Sequence, residues 1–198
     1  MIPCVSKVDF SLMRTSCPRS NTNGGQTVCV CNAKDEKYTF NLSRCVSQEG
    51  IIGEAKKSIK VETRNSIHVE CLDEIILDHA VKNSSEWFGK SMDRVTVQRM
   101  YKPILNNKSW RVRVPIDDVT GSFNGGVFNN NNDRINIDDV RLETEMFDAV
   151  IQLVGIYFIP GEFGLSWKLL QVKVHPRTLL RAYAFNSDED DTSDAEPN

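Results

Sequence analysis

The 198-residue sequence lacks several features that would assign it to a familiar class of protein. No apolar run approaches the roughly 20 residues of a membrane-spanning helix, and the N-terminus lacks the basic-then-apolar pattern of a secretory signal. A phosphate-binding glycine loop, a nucleophile elbow and a His-x-Glu motif are all missing. The three histidines, His68, His79 and His175, are isolated from any cysteine, serine or carboxylate signature. We therefore expect an intracellular protein that is not an enzyme, needs no cofactor and has no membrane partner.

Cysteine occurs six times, but its spacing does not favour a metal site. Cys29-x-Cys31 with Cys45 and Cys71 could supply four thiolates to zinc, although zinc motifs usually place two or more residues between paired cysteines. In a strand of period two, Cys29 and Cys31 would share one face, where small thiols pack well. This pattern predicts reduced core cysteines and no metal.

Two carboxylate pairs, Asp117-Asp118 and Asp138-Asp139, leave a metal-dependent nuclease open as an alternative. Each pair stands beside turn residues, where aspartate is favoured for local hydrogen bonding. The local role is therefore the simpler interpretation.

Charge is divided between a mildly basic body and an acidic C-terminus. Six of the 27 acidic residues fall in the last twelve positions, with no basic residue among them: Asp188, Glu189, Asp190, Asp191, Asp194 and Glu196. Without these six, 24 Lys and Arg face 21 acidic residues, so the net charge changes from −3 to +3. Such a segment cannot bury a core, so residues 187–198 are predicted to be a disordered acidic tail. The tail could occupy an anion site of the body, dock on a basic partner protein, or only increase solubility.

Hydrophobic periodicity predicts many short strands and one interrupting helical region. The strands are expected at 7–12, 28–31, 38–42, 58–62, 67–69, 110–114, 149–159 and 163–174, and the helices at 72–90 and 93–101. The Gly/Asn-rich segment 121–133 is predicted to be a mobile loop. Since no βαβ rhythm is present, the pattern indicates a mainly β barrel or sandwich with minor α.

Basic and aromatic residues are interleaved in two stretches of the body. Arg94, Arg99, Tyr101, Lys102, Lys108, Trp110, Arg111 and Arg113 form the first set, and Trp167, Lys168, Lys173, Arg177, Arg181 and Tyr183 the second. Binding of a single strand requires cations along the path of the phosphates and aromatic faces on which any base can stack. Strict alternation in 110–114 places Arg111 and Arg113 on one exposed face while Trp110 points inward. A core position therefore remains the alternative for Trp87, Trp110 and Trp167.

Several stretches resemble a family of proteins from nucleocytoplasmic large DNA viruses. The best match runs through Leu72-Asp73-Glu74-Ile75-Ile76 to Glu86-Trp87-Phe88-Gly89-Lys90. Tyr101-Lys102-Pro103, Gly155-Ile156-Tyr157-Phe158, Phe163-Gly164-Leu165-Ser166-Trp167-Lys168 and Gln171-Val172-Lys173-Val174 also match, as does the Asn21–Gly25 loop. The likeness spans most of the body, is weak over 34–69 and does not include the tail.

The resemblance implies an OB-like antiparallel Greek-key barrel that binds single-stranded DNA during viral genome replication or repair. The inserted helix at 72–90 and extra N-terminal strands would be added to this barrel. We expect one nucleic-acid-binding domain over 1–186, with β regions at 1–70 and 109–175, followed by the tail. Its location would be the host cytoplasm or nucleus at viral replication sites, with packaging in the virion as a further option.

The residues expected to bind single-stranded DNA combine both lines of reasoning. They are Lys90, Lys102, Trp110, Arg111, Arg113, Trp167, Lys168 and Lys173. Lys90 enters through the resemblance, and one or more aromatic residues would serve as stacking platforms. The alternative from another class is a protein-interaction or transcription-associated module whose tail binds replication or transcription proteins.

Overall fold

The computed structural model describes residues 2–20, 25–53, 56–63 and 67–175. Over these ranges the chain forms thirteen strands and three helices, which confirms the mainly β class. The N-terminal strands are β1 (Arg14–Thr15), β2 (Arg19–Ser20), β3 (Gln26–Val28), β4 (Val30–Cys31), β5 (Thr39–Cys45), β6 (Ile51–Ile52) and β7 (Ser58–Glu62). The helices α1 (Ile67–Lys82), α2 (Ser84–Phe88) and α3 (Arg94–Met100) follow. The remaining strands are β8 (Tyr101–Lys102), β9 (Leu105–Asn106), β10 (Ser109–Arg113), β11 (Gly126–Phe128), β12 (Met146–Ile159) and β13 (Glu162–His175).

Five of these strands close into a barrel. The long β12–β13 hairpin is antiparallel, β5 pairs antiparallel with β12, and β7 pairs antiparallel with β10. β10 lies beside β13 with one parallel pair, Arg113 opposite Lys168. The ring closes after β5, where Val46 and Glu62 exchange backbone hydrogen bonds of 3.0 and 2.9 Å. Around the ring the strands follow each other as β5, β7, β10, β13 and β12, so the last two are exchanged relative to their order in the chain. This is an OB-like Greek-key barrel with one parallel junction.

The barrel interior follows from alternation within its strands. In β10, Trp110 and Val112 are fully buried while Arg111 and Arg113 are exposed. Phe40 of β5 packs against both Trp110 and Trp167, with ring centroids 6.0 and 5.6 Å apart. The two tryptophans meet edge to face at 4.8 Å. Aromatic side chains from three strands therefore form the centre of the core.

The helical insertion lies between β7 and β10 in the chain. The helix predicted at 72–90 is present as two helices, because the helical conformation is interrupted at Asn83. The second helix is followed by Gly89, which adopts a left-handed conformation with φ of 73°. Helix α1 starts at Ile67, so the strand predicted at 67–69 is wrong. Asp73 of α1 accepts hydrogen bonds from the Tyr101 hydroxyl at 2.5 Å and the Ile104 amide at 3.2 Å. These bonds hold the insertion against β8 and the start of the following turn. None of the helices in the described ranges is long and apolar enough to cross a bilayer.

Two other local predictions differ from the structure. The strand expected at 7–12 is absent: Val5–Lys7 is a 3₁₀ turn, and Phe10 is buried against Tyr38 with centroids 5.0 Å apart. Alternation was misleading there because a turn and tertiary packing produce the same apolar spacing. The Gly/Asn-rich segment contains β11, which pairs parallel with β13 over 126–128.

The cysteine prediction is correct only in part. None of the six cysteines forms a disulfide, and Cys45 is fully buried, which raises the pKa of its thiol to about 12. Cys29 and Cys71 are exposed, so a core position for them is wrong. Val28 and Val30 are buried instead, because in this segment the side chains that point into the core are those of the two valines that flank Cys29.

The predicted acidic tail, Arg177, Arg181, Tyr183 and most of the Asn21–Gly25 loop lie outside the described residues.

Candidate nucleic-acid interface

A basic groove of about 550 Å³ crosses the outer face of β7 and β10. Its cations are Lys56, Lys57, Lys60, Lys102, Arg111 and Arg113, and Glu162 is the one carboxylate that lines it among the described residues. The remaining lining is contributed by Ser58, Pro103, Ile104, Asn106, Ser109, Tyr157, Leu165, Ser166 and Trp167. We call this surface the β7–β10 groove.

Strand pairing explains why these cations meet. Arg111 lies opposite Lys60, and Arg113 lies opposite Ser58, in the antiparallel β7–β10 ladder. In both strands the inward positions are apolar and buried, so the outward positions carry the charge. Lys102 reaches the same groove from β8, where it pairs with Gly164 of β13. Residues more than 40 positions apart are thereby placed on one surface.

The charge of the groove is only partly neutralised within the protein. Lys60 Nζ lies 2.8 Å from Glu49 Oε1, and Lys102 Nζ lies 3.1 Å from Glu162 Oε2. Arg111 Nε donates to Ser58 Oγ at 3.3 Å, which orients the guanidinium without cancelling its charge. Both ion pairs are largely solvent-exposed, so each adds little stability and can be exchanged for a phosphate.

Tyr157 provides an aromatic surface beside these cations. It lies on β12 opposite Gly164, and a Cβ placed on Gly164 would be 2.9 Å from the tyrosine hydroxyl and 3.1 Å from its Cε1. The missing side chain of Gly164 thus leaves room for the Tyr157 ring to lie across β13. Burial raises the pKa of the phenol, and nearby Glu162 adds to the shift, so the ring is neutral at physiological pH. A half-buried neutral ring next to cations has the properties of a stacking platform.

The structure brings only part of the predicted site together. Lys102, Arg111 and Arg113 line the β7–β10 groove, and Lys168 lies beside it at the register of Arg113. Lys173 is farther along β13, where its Nζ donates to Asn132 Oδ1 at 2.8 Å. Lys90 is exposed directly after α2 and does not line the groove. A role of Lys90 or Lys173 in binding stays a prediction.

The two predicted tryptophans are core residues in this structure. Trp110 is 0% exposed and Trp167 is 2% exposed, and the rings pack on each other and on Phe40. Neither ring presents a free face to a base, so we do not assign them as stacking platforms.

Sequence reasoning missed Lys56, Lys57, Lys60 and Tyr157. The alternation of Ser58-Ile59-Lys60-Val61-Glu62 carries the same signal that identified Arg111 and Arg113, so Lys60 could have been found. Tyr157 stands between buried Ile156 and Phe158, which also indicates an outward position. No local pattern marks Lys56 and Lys57, which precede the strand.

In the first carboxylate pair, Asp117 has a local structural role. Asp117 accepts hydrogen bonds from the amides of Val119 and Thr120 and from the Thr120 hydroxyl, which closes its own turn. These bonds hold the pKa of Asp117 below its usual value. Within the ranges that the structure describes, no three His, Cys, Asp or Glu side chains come together as a metal site.

Comparison with known proteins gives a family and several similar solved structures, among them three of one phage protein. The structure is similar to the single-stranded DNA-binding protein from bacteriophage Enc34 in complex with ssDNA, at 12% identity and a TM-score of 0.43, over 81% of this chain and 95% of that one. The C-terminal truncation of that protein is similar at 13% identity and a TM-score of 0.42, over 83% and 96%. The protein without DNA is similar at 16% identity and a TM-score of 0.42, over 91% and 98%. No curated protein matches the sequence. The model of the Family of unknown function (DUF5871) matches residues 48–187, which is most of the body, and the chain belongs to that family.

Proposed function

We propose that this protein binds single-stranded DNA, with little dependence on sequence, through the β7–β10 groove. The observation that carries the proposal is six cations against one carboxylate along a groove on the second and third strands of an OB-like barrel. That face is where OB folds characteristically bind oligonucleotides.

The chemistry of the groove fits a single strand better than a duplex. Phosphates would be neutralised by Arg111, Arg113 and the lysines of and just before β7, while bases would contact Tyr157 and Leu165. Stacking on an aromatic face is tolerant of sequence because every base has a π surface, and it requires unpaired bases. The proposed activity is binding without cleavage.

Titration of a labelled oligothymidine by fluorescence anisotropy tests this proposal. Each neutralised phosphate releases counterions, so the affinity should fall by about a hundredfold between roughly 50 and 200 mM salt. Duplex DNA of the same length should bind more weakly, and the oligonucleotide should remain intact with magnesium or manganese present. An affinity that does not change with salt would remove the electrostatic basis of the proposal, and cleavage would favour the nuclease alternative.

On the resemblance to proteins of large DNA viruses, we further propose a role in viral genome replication or repair at intracellular replication sites. The acidic residues of 187–198 would then compete with DNA for the cations of the groove. Their carboxylates belong to the same chain and are attracted to the same positive surface.

Deleting residues 187–198 is expected to tighten oligothymidine binding by about threefold to tenfold at low salt. The difference should shrink at high salt, because screening weakens the attraction between tail and groove. Anisotropy titrations of both chains at two salt concentrations measure this. Unchanged or weaker binding after the deletion would leave the tail as a solubilising segment or a hook for replication or transcription proteins.

A further inference from the structure

A second cavity, of about 290 Å³, adjoins one end of the β7–β10 groove. The two share Lys57, and Arg113, which lines the groove, is followed in the chain by Val114, which lines the cavity. The Val114 amide donates to the Lys57 carbonyl at 2.9 Å, which fixes the backbone at this junction. Lys57 therefore borders both the groove and the cavity.

The cavity has buried apolar side chains among a mostly polar lining. Val114 and Leu142 are buried to 2% exposure at its base, and half-buried Phe123 and Ile137 contribute to its walls. Asp138 and Glu143 are the two carboxylates in its lining, and both are exposed. Glu143 lies against Gly50, where a Cβ would be 2.9 Å from Glu143 Oε2. Gly50, with φ of 63°, is therefore well suited to the position beneath that carboxylate.

The carboxylates and buried apolar side chains of this cavity favour a nucleobase over a phosphate group. Carboxylates repel a phosphate group, whereas they accept hydrogen bonds from the amino groups of nucleobases, as in the pairing of Glu or Asp with cytosine N4. The buried Val114 and Leu142 together with Phe123 suit the flat face of a base, and the cavity is large enough for one. Lys57 at the shared edge is placed for the adjoining phosphate.

We propose that this cavity is a nucleobase pocket that prefers bases carrying an amino group on the Watson–Crick edge. The inference rests on the proposed function, because a single strand in the groove supplies the base. It adds a modest base preference to otherwise sequence-tolerant binding. A uracil or thymine can donate to a carboxylate only from N3–H, which lies between two carbonyl oxygens that would repel Asp138 and Glu143.

Competition between oligodeoxycytidine and oligodeoxyuridine of equal length tests this pocket, because these bases differ at the edge that the carboxylates would read. Wild-type protein should bind oligodeoxycytidine about threefold to tenfold more tightly. Glu143→Gln should bring the ratio to within about twofold, since an amide can donate to a carbonyl oxygen as well as accept. Asp118→Asn is the matched control, because Asp118 is an exposed carboxylate outside the lining, and it should leave the ratio unchanged.

Filling the cavity gives an independent result. Val140→Trp places a large ring at a half-buried lining position and should abolish the preference while keeping most of the salt-dependent affinity. If neither oligonucleotide binds to the wild-type protein, the proposed function itself is wrong. If both bind equally well and Glu143→Gln changes nothing, the groove stands and the nucleobase pocket is overturned.

Discussion

Replacing Arg111 and Arg113 together by alanine is expected to weaken oligothymidine binding by about tenfold to a hundredfold at low salt. Both side chains are exposed on β10, and both line the β7–β10 groove. Arg111 donates one hydrogen bond, to Ser58, and neither arginine forms a salt bridge within the described residues, so the free energy of unfolding should change by less than about 1 kcal/mol. Anisotropy titration and thermal denaturation of the same preparation measure the two effects.

The matched control is the double substitution Arg99→Ala and Arg141→Ala. It removes the same two charges from exposed positions that do not line the groove. Its affinity should remain within about threefold of wild type, because only the long-range field changes. Equal losses in the two variants would mean that net charge, and not the groove, determines binding. A large fall in stability on removing Arg111 and Arg113 would instead make them structural.

Trp110→Ala is expected to destabilise the protein by about 3–5 kcal/mol, which is a large fraction of the stability of an ordinary domain. The side chain is fully buried and packs on Trp167 and Phe40, so its removal leaves a cavity at the centre of the barrel. Urea denaturation followed by circular dichroism measures the change. Trp110→Phe should cost less, because it keeps an aromatic ring and removes a buried indole nitrogen that has no hydrogen-bond partner among the described residues.

Trp110→Ala also separates a core residue from a stacking platform. A platform on the surface would lose affinity for DNA with little loss of stability. Tyr157→Ala serves as the comparison, since Tyr157 lines the groove and is only half-buried. It should lose affinity by about fivefold or more, because one stacked base contributes roughly 1–3 kcal/mol. The reverse pattern for the two variants would contradict the assignment of both.

Local alternation predicted the strands that build the barrel wall and the direction of their side chains. β7 and β10 were predicted almost to the residue, and Arg111 and Arg113 were correctly placed outside while Trp110 was inside. Alternation succeeds there because each strand has one face on the core and one in solvent, so burial imposes period two on the residues themselves.

The groove itself could not be predicted from local patterns. Lys60 meets Arg111 only because β7 and β10 pair across the helical insertion, and Lys102 joins them only because β8 docks on β13. Local signals also failed where tertiary contacts determine the conformation, as for the buried Phe10 beside Tyr38 and the exposed Cys29 between two buried valines. Lys102 was predicted from the basic and aromatic interleaving and from the resemblance, but neither indicated that it would pair with Gly164 of β13.

The most direct test of the central claim is the salt slope of oligothymidine binding for wild type and for the Arg111→Ala/Arg113→Ala variant. Each cation that neutralises a phosphate contributes about 0.7 to the log–log slope for a single strand. The magnitude of this slope should therefore be smaller by about 1.4 in the variant that lacks both arginines, with its fold intact. An unchanged slope in a folded variant would show that Arg111 and Arg113 do not contact phosphates, and would contradict the β7–β10 groove as the binding site.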